Sequence, residues 1–193
     1  MLSSVTGIKM QLSSQLKLVS SIGRIVSRNL RSSACLNMPI TVGDSLPPVD
    51  LFEETPANKV NVQQLTKGKK VIIFAVPGAF TPGCSKTHLP GYVAQADSLK
   101  TKGIDEIVCV SVNDPFVMSA WGKEQGVGQK IRMLADPQGT FTKTIELNTD
   151  LAVLGGLRSK RYSMVVEDGV VKSLQVEPDG TGLSCSLAEA IKL

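Results

Sequence analysis

The chain has few of the residues from which metal sites and disulfide frameworks are built. It contains one histidine, His88, and four widely spaced cysteines with no Cys-x-x-Cys pair among them. A structural zinc site needs several such ligands at short spacings, and a small secreted domain held by disulfides needs a denser set of cysteines. The sequence therefore gives no sign of a zinc-binding domain or of a disulfide-rich scaffold.

Long apolar runs are missing as well. The chain has no stretch of about 18 apolar residues, the length that a membrane-spanning helix requires. Its body shows no internal repeat and no low-complexity tract. Its 193 residues, of which 42% are hydrophobic, suit one globular domain with a substantial core. We therefore expect a single folded domain and no membrane span.

Acidic residues are absent from the first 43 positions, and this absence explains the net charge of the chain. Five basic residues in that segment account for the formal charge of +4, because the rest contains 16 basic and 17 acidic residues. A nearly neutral body lacks the basic surface that nucleic-acid binding requires. We therefore expect no nucleic-acid partner.

The same acid-free segment is rich in serine, and its apolar residues recur at three- and four-residue spacing. This composition is typical of a mitochondrial transit peptide, whereas a secretory signal would need a continuous apolar stretch. We expect residues 1–38 to be a transit peptide to the mitochondrial matrix, cleaved between Arg31 and Pro39, and residues 39–193 to be the folded domain. A disordered tail without an address is the alternative. The ending Ile191–Leu193 only weakly resembles a peroxisomal signal, so cytosolic or peroxisomal pools stay open.

Strand and helix patterns alternate along the body. Continuous apolar runs predict three buried strands. Between them we expect one helix that starts near Thr81 or Cys84 and is bent or broken at Pro90-Gly91, and a second that is capped by Asp114. The three predicted strands cover residues 71–76, 107–112 and 131–135.

The last third of the chain predicts a different pattern. Asp168-Gly169 separates two strand-like runs, and both residues tolerate the positive φ angles of a tight hairpin turn. We also expect a short helix over residues 140–148 and a C-terminal helix over residues 187–193. The whole order predicts an α/β domain in which helices flank a mixed central sheet.

One constrained loop, Pro77-Gly78-Ala79-Phe80-Thr81-Pro82-Gly83-Cys84, joins the first buried strand to the first helix. It places Cys84 in the first turn of that helix, where free N–H groups and the helix dipole stabilise a thiolate and make the sulfur a nucleophile. Pro77 and Pro82 stiffen the loop, and Thr81 can bond beside the sulfur or cap the helix. The alternative is that Cys84 is a small buried hydrophobe.

The same eight residues resemble the active-site loop of the peroxiredoxins. The continuation Ser85–Gly91 is similar to the atypical two-cysteine branch of that family, the peroxiredoxin-five type. The resemblance extends over residues 39–193 and implies a thioredoxin-like fold. Four further stretches carry it: residues 111–114, 134–137, 161–166 and 176–185.

The resemblance implies a role for each matching residue. Cys84 corresponds to the peroxidatic cysteine, whose thiolate attacks a peroxide and becomes a sulfenic acid, and Thr81 corresponds to the hydroxyl that orients the peroxide. Arg161 corresponds to the arginine that polarises the peroxide, since a guanidinium is always charged and donates several bonds in one plane. From the residues alone, Arg158 and Lys160 are equally good candidates, and the three basic residues could simply form a solvated basic loop.

Cys185 matches the resolving cysteine of that branch. The resemblance implies that it attacks the sulfenic acid and forms an intramolecular disulfide with Cys84. The alternative for Cys185 is a free thiol near a helix start. The family match also assigns Pro77 and Pro82 to shaping and shielding the pocket.

Three other residues invite a functional reading that we consider weaker. His88 lies four residues after Cys84, on the same helix face, so a Cys–His dyad or a metal pair is conceivable. The family requires no histidine base, and we expect His88 to be structural or pocket-lining. Cys109 lies within a predicted strand, where core packing is the better explanation, and we place Trp121 in the core.

The resemblance implies a thiol peroxidase that serves antioxidant defence. Its expected substrates are hydrogen peroxide, organic hydroperoxides and peroxynitrite, its expected reductant is thioredoxin, and it needs no metal, haem or flavin cofactor. The family also suggests a homodimer. Two alternatives stay open, a redox sensor that passes oxidation to a client protein and a thioredoxin-like binding module in which Cys84 is inert.

Overall fold

Seven strands form one mixed sheet in residues 38–193, the part of the chain that the computed structural model describes. The transit peptide expected over residues 1–38 lies outside the described residues except for Met38, and its assignment stays a prediction. The strands in this described part are β1 (Asp50–Glu53), β2 (Lys59–Asn61), β3 (Lys70–Val76), β4 (Glu106–Ser111), β5 (Arg132–Ala135), β6 (Asn148–Leu151), β7 (Gly156–Ser159), β8 (Tyr162–Glu167) and β9 (Val170–Val176).

The sheet has the strand order β2-β1-β5-β4-β3-β8-β9, while β6 and β7 form a separate antiparallel pair. The central strand β3 pairs in parallel with β4 and antiparallel with β8. The sheet is therefore mixed, as the sequence predicted, and the arrangement is a thioredoxin-like fold.

Helices cover both faces of this sheet. Because β3 is buried on both faces, Val71 to Val76 form one continuous apolar run. Alternate residues of that run belong to two core clusters, one with Phe74 and one with Ile73. The α-helices of the described part are α1 (Val62–Thr66), α2 (Leu89–Thr101), α3 (Pro115–Glu124) and α4 (Thr140–Thr144).

The predicted start of α3 is confirmed in its capping geometry. Asp114 has an extended backbone, and its Oδ1 accepts hydrogen bonds from the N–H groups of Phe116 and Val117, each at 3.0 Å. Pro115 occupies the first turn, where its missing N–H has no partner to lose. This cap sets where the chain turns after β4.

The β-hairpin predicted at Asp168-Gly169 is also confirmed. The two residues have φ angles of 48° and 76° and connect β8 directly to β9. Right-handed strand twist favours such a turn, and both residues accept its positive φ angles. On its other edge β8 pairs with β3 and aligns Tyr162 with Ala75, so that the residue preceding β8 lies near the end of β3.

Two predictions for shorter helices were wrong in their extent. The helix expected over residues 140–148 ends at Thr144, because Glu146 takes a left-handed φ of 56° and the chain then enters β6. The C-terminal helix expected over residues 187–193 is a single 3-10 turn, Ala188–Ala190, between extended residues. Seven residues are too few to offset the cost of helix nucleation without extensive packing.

The helix that follows the candidate nucleophile changes its character along its length. Cys84–His88 forms a π-helical turn, and regular α-helix begins at Leu89. Pro90 lacks the N–H that would donate to the preceding turn, which accounts for a wider turn at this point. Within residues 38–193, no helix is both long enough and apolar enough to cross a membrane.

Candidate active site

Cys84 lies beyond the end of β3, at the start of the π-helical turn, and its side chain is 0% exposed. The thiol is free and belongs to the core cluster on the α2 side of the sheet. A buried hydrophobe would satisfy that description alone. Its polar partners distinguish it from an ordinary core cysteine.

Thr81 supplies the first of these partners. Its Oγ1 lies 2.8 Å from the Cys84 sulfur and 3.0 Å from the carbonyl oxygen of Gly78. A hydroxyl has one proton to donate and two lone pairs. Thr81 can therefore donate to the sulfur, or donate to Gly78 and keep a lone pair free to accept a proton from a bound molecule.

Arg161 supplies the second partner from the residue just before β8. Its Nη1 donates to the Cys84 sulfur at 3.3 Å, and its Nε donates to the carbonyl of Thr181 at 3.1 Å. The residue is 4% exposed, so its charge acts with little screening by water. Because arginine can only donate, the sulfur accepts, which is the hydrogen-bonding role of a thiolate.

The two other basic residues of this segment lie elsewhere. Arg158 donates from Nη1 to the carbonyl of Val112 at 2.9 Å and from Nη2 to the carbonyl of Leu154. Lys160 donates its backbone N–H to the carbonyl of Leu147. Of the three candidates in the sequence, Arg161 is therefore the one that the fold brings to the sulfur.

The loop before Cys84 is anchored at one end and strained in its middle. Pro77 is buried where β3 ends, and the N–H of Ala79 donates to Asn113 Oδ1 at 3.0 Å. Phe80 has a φ of 61°, which a bulky residue rarely adopts, and is 49% exposed. Pro82 is exposed at the start of the helical segment.

Gly83 fills a position where a larger residue would crowd the site. A Cβ built there would lie 3.3 Å from Arg161 Nη2 and 3.3 Å from Leu183 Cδ1. Both distances are tighter than ordinary van der Waals contacts. The glycine therefore allows the guanidinium and the segment around Leu183 to approach the Cys84 loop closely.

His88 lies on the other side of Arg161. Arg161 Nη1 lies 3.2 Å from His88 Nδ1, and His88 Nε2 lies 3.0 Å from the carbonyl oxygen of Ser186. The imidazole is completely buried. Burial, with the nearby Arg161 charge in support, outweighs the bond to Ser186 and lowers the pKa of His88 to about 4. His88 is therefore neutral at physiological pH.

Cys185, the predicted resolving cysteine, is a free and partly exposed thiol. Its sulfur donates to the carbonyl oxygen of Val176 at 3.4 Å. Burial and the negative charge of Glu177 raise the pKa of the Cys185 thiol. The hydrogen-bond partners of Cys185 are thus different from those of Cys84, and the two cysteines are not bonded to each other in this structure.

Cys109 and Trp121 lie in the core, as predicted. Cys109 is in β4, paired with Phe74, and burial followed by the nearby Cys84 raises its pKa well above the ordinary value. Trp121 is fully buried and donates from Nε1 to Ser85 Oγ at 3.0 Å, next to Cys84. The described residues contain no group of three or more His, Cys, Asp or Glu side chains that could hold a metal ion.

Sequence reasoning did not single out the residues that surround the Cys185 segment. Glu177 is 2% exposed and accepts hydrogen bonds from the N–H and hydroxyl groups of both Ser184 and Ser186. Burial alone would raise its pKa, but these bonds outweigh burial and lower the pKa of Glu177 to about 2. Tyr92 donates to the Ser186 carbonyl at 2.9 Å. A lone glutamate in a loop and a helical tyrosine carry no local signal of such a network.

Comparison with known proteins agrees with this geometry. Residues 41–191 match the Redoxin family. The chain is 46% identical over 160 residues to the chloroplastic peroxiredoxin-2E of Arabidopsis thaliana, covering 79% of this chain and 68% of that protein.

Two solved structures are also similar. The reduced Prx3 of Vibrio vulnificus in complex with hydrogen peroxide is 50% identical, with a TM-score of 0.73 over 78% of this chain and 96% of that one. Peroxiredoxin 5 of Alvinella pompejana is 44% identical, with a TM-score of 0.69 over 76% of this chain and 96% of that one.

The fold and the site define an antioxidant thiol peroxidase, an oxidoreductase built on a thioredoxin-like domain. The chain belongs to the peroxiredoxin family.

Proposed function

We propose that the protein reduces hydrogen peroxide, organic hydroperoxides and peroxynitrite through Cys84 and is recycled by thioredoxin. The observation that carries this proposal is the pair of donors at one sulfur, Thr81 Oγ1 at 2.8 Å and Arg161 Nη1 at 3.3 Å. The complex of the similar Vibrio vulnificus protein with hydrogen peroxide supports the first substrate.

In the first step, the Cys84 thiolate attacks one oxygen of the peroxide O–O bond. A sulfur–oxygen bond forms and the O–O bond breaks. The leaving oxygen takes a proton and departs as water or an alcohol, whereas peroxynitrous acid releases nitrite. The sulfur is oxidised to a sulfenic acid and the peroxide is reduced by two electrons. Arg161 stabilises the negative charge that moves onto the peroxide oxygens, and Thr81 orients the peroxide.

Access to the sulfur requires a small opening of the loop, because Cys84 is fully covered. Phe80 is the exposed residue of that loop and holds the left-handed φ of 61° just before Thr81. If the Phe80 backbone relaxed from this strained φ, a small movement of the loop would expose the Cys84 sulfur. We therefore assign peroxide entry to the Phe80–Thr81 side, with Pro77 and Pro82 limiting the rest of the loop.

In the second step, the Cys185 thiol attacks the sulfenic sulfur of Cys84. A disulfide forms, and the sulfenic oxygen leaves as water with the thiol proton. A dithiol reductant, for which we propose thioredoxin, then returns both cysteines to thiols and is itself oxidised to a disulfide. A protein that follows this order of reaction steps is an atypical two-cysteine peroxiredoxin.

Mass spectrometry after one equivalent of hydrogen peroxide tests this cycle. We expect a Cys84–Cys185 disulfide that thioredoxin reduces, no reaction in Cys84→Ser, and a stable sulfenic acid in Cys185→Ser. Cys109→Ser is the matched control and should behave as the unmodified protein. An unmodified Cys84 would refute the peroxidase mechanism, and an oxidised Cys84 that thioredoxin does not reduce would favour a redox relay.

We also propose that the protein acts in the mitochondrial matrix as a homodimer. The acid-free, serine-rich segment supports the location, and the family resemblance supports the dimer. Import of the full chain into isolated mitochondria, with a size shift on cleavage near residue 38, would test the address. Sedimentation equilibrium of the imported form would test the dimer.

A further inference from the structure

We propose that His88 is a positioning residue that couples the Cys84 site to the segment carrying Cys185, which we define as Ser184–Ser186. The inference rests on the proposed roles of Cys84 and Cys185. It concerns a buried imidazole that those roles leave unused.

The tautomer of His88 follows from its partners. Arg161 Nη1 lies 3.2 Å from Nδ1, and because arginine can only donate, Nδ1 must accept. The proton of the neutral ring is then on Nε2, which donates to the carbonyl of Ser186 at 3.0 Å. One rigid ring therefore bonds to the Cys84 arginine with one nitrogen and to the Cys185 segment with the other.

The Arg161 side of this link acts on the peroxide step. The Nη1 that bonds to His88 also donates to the Cys84 sulfur at 3.3 Å. By accepting this bond, His88 fixes the plane of the Arg161 guanidinium. Residues that do not touch the substrate commonly orient the groups that do. Loss of that acceptor leaves a buried guanidinium N–H without a partner and the guanidinium free to turn from the sulfur.

The segment side acts on disulfide formation. The Ser186 carbonyl accepts from His88 Nε2 and from the Tyr92 hydroxyl, while Glu177 holds the backbone and hydroxyl groups of Ser184 and Ser186. The Cys185 sulfur donates to the Val176 carbonyl in this arrangement. Disulfide formation removes the thiol proton and with it that bond, and in our proposal the bonds to Ser184 and Ser186 are what holds the segment back from Cys84.

The two sides are connected by the charge at Cys84. A thiolate attracts Arg161, whereas a sulfenic acid is neutral and carries an additional oxygen that competes for the guanidinium. A shift of Arg161 away from its thiolate position weakens its bond to His88, and the ring then holds Ser186 less firmly. Oxidation of Cys84 thereby loosens the segment that has to move next.

Two substitutions of His88 by amide side chains test its bond to Arg161 and its bond to Ser186 separately. In Asn the amide oxygen occupies nearly the position of histidine Nδ1, so His88→Asn keeps the acceptor for Arg161 and loses the donor to Ser186. In Gln the amide nitrogen occupies nearly the position of Nε2, so His88→Gln keeps the donor to Ser186. His88→Leu removes both functions, and Tyr92→Phe removes the other bond to the same carbonyl while keeping the stacking of the ring on Phe74 at 4.0 Å.

Two rates are measured in the full chain. The rate of sulfenic acid formation is measured in a Cys185→Ser background, and the rate of disulfide formation by rapid quench and mass spectrometry with Cys185 present. We expect His88→Leu to slow the first step and to speed the second, each by roughly 3- to 10-fold, the effect of one hydrogen bond. His88→Asn should restore the first rate alone, His88→Gln the second rate alone, and Tyr92→Phe should change only the second.

The outcomes separate this inference from the peroxidase mechanism itself. If the unmodified protein forms neither the sulfenic acid nor the disulfide, the proposed function fails and the coupling fails with it. If the unmodified protein does both, but Asn and Gln move the two rates by the same factor as Leu, His88 only fills space and the inference is overturned. Unchanged rates in all four variants would overturn it too. Tyr92→Phe decides the segment side even where His88→Leu does not fold.

Discussion

Arg161 lies 77 residues after Cys84 in the chain, yet its Nη1 is 3.3 Å from the Cys84 sulfur. The pairing of β8 with β3 creates this proximity, because it aligns Tyr162 with Ala75 and so places the preceding arginine beside the end of β3. The sheet register therefore decides which basic residue reaches the sulfur. A shift by one residue would direct Arg161 to the opposite face of the sheet.

The first prediction concerns the geometry of the guanidinium. We expect Arg161→Lys to lower the second-order rate with hydrogen peroxide by about 10- to 100-fold, because an ammonium keeps the charge but cannot bond to the sulfur, His88 and Thr181 at once. Stopped-flow fluorescence of Trp121, whose indole N–H bonds to Ser85, measures this rate. A rate equal to that of the unmodified protein would contradict the assignment.

The control for that variant is Arg132→Lys. Arg132 bonds to Glu53 and Glu106 in β1 and β4. Glu106 pairs with Val71 at the start of β3, whereas Cys84 follows the end of that strand. The control should leave the peroxide rate unchanged and report any general effect of replacing a partly buried, ion-paired arginine.

The Thr81 hydroxyl is the subject of the second prediction. Valine has the same shape without the hydroxyl, so we expect Thr81→Val to lower the peroxide rate by about 10-fold, the size of a hydrogen bond to a charged group. Thr81→Ser keeps the hydroxyl and should retain most of the rate. Equal losses in both variants would show that the methyl group matters as much as the hydroxyl, and would contradict a specific role for the hydroxyl.

The local elements of this fold were predictable because they depend on neighbouring residues. The Asp114-Pro115 cap and the Asp168-Gly169 turn are specified by side chains and φ preferences within a few positions. The prediction of a C-terminal helix was wrong because tertiary packing, and not the neighbouring residues, decides the structure there. Its sequence permits a helix, but the segment is short and Ala188 is fixed by its packing in the core.

The site residues also differ in how far they could be predicted, according to whether they depend on neighbouring or on distant parts of the chain. The loop that carries Thr81 and Cys84 is one continuous motif, so its chemistry could be inferred from sequence. The choice of Arg161 over Arg158 could be inferred only from the family resemblance, because it depends on strand register. The bond of His88 to Ser186 joins residues 98 positions apart, and nothing local indicates it. Glu177 and Ser186 are only nine positions apart, but no short motif marks their bond.

Cys109 provides the third prediction, a separation of stability from activity. We expect Cys109→Ala to lower the free energy of unfolding by about 1 kcal/mol, because it removes a buried sulfur from the core, and to leave the peroxide rate unchanged. Urea unfolding and the stopped-flow assay measure the two effects. In the native protein, Cys109 should also resist alkylation, since burial raises its pKa well above the ordinary value. Rapid native alkylation of Cys109 would refute its core assignment.

The last prediction is the dependence of stability on pH, in which His88 and Glu177 act in different ranges. His88 has a pKa of about 4 in the fold against an ordinary 6.5, so between these values the unfolded chain binds a proton that the folded chain does not. Stability should therefore fall as the pH falls from 6.5 to 4, by up to about 3 kcal/mol. Glu177 has a pKa of about 2 against an ordinary 4.5, so its contribution is present above pH 4.5 and is lost between 4.5 and 2.

Urea unfolding of the unmodified protein, His88→Asn and Glu177→Gln at a series of pH values separates the two groups. The difference in unfolding free energy between the unmodified protein and His88→Asn should change between pH 6.5 and 4 and be constant above 7. The difference from Glu177→Gln should change only below about pH 4.5, since the carboxylate is ionised in both states above that pH. A His88→Asn difference that does not vary with pH would mean that the folded and unfolded chains have the same His88 pKa. The buried environment and the Arg161 contact described for the imidazole would then be wrong.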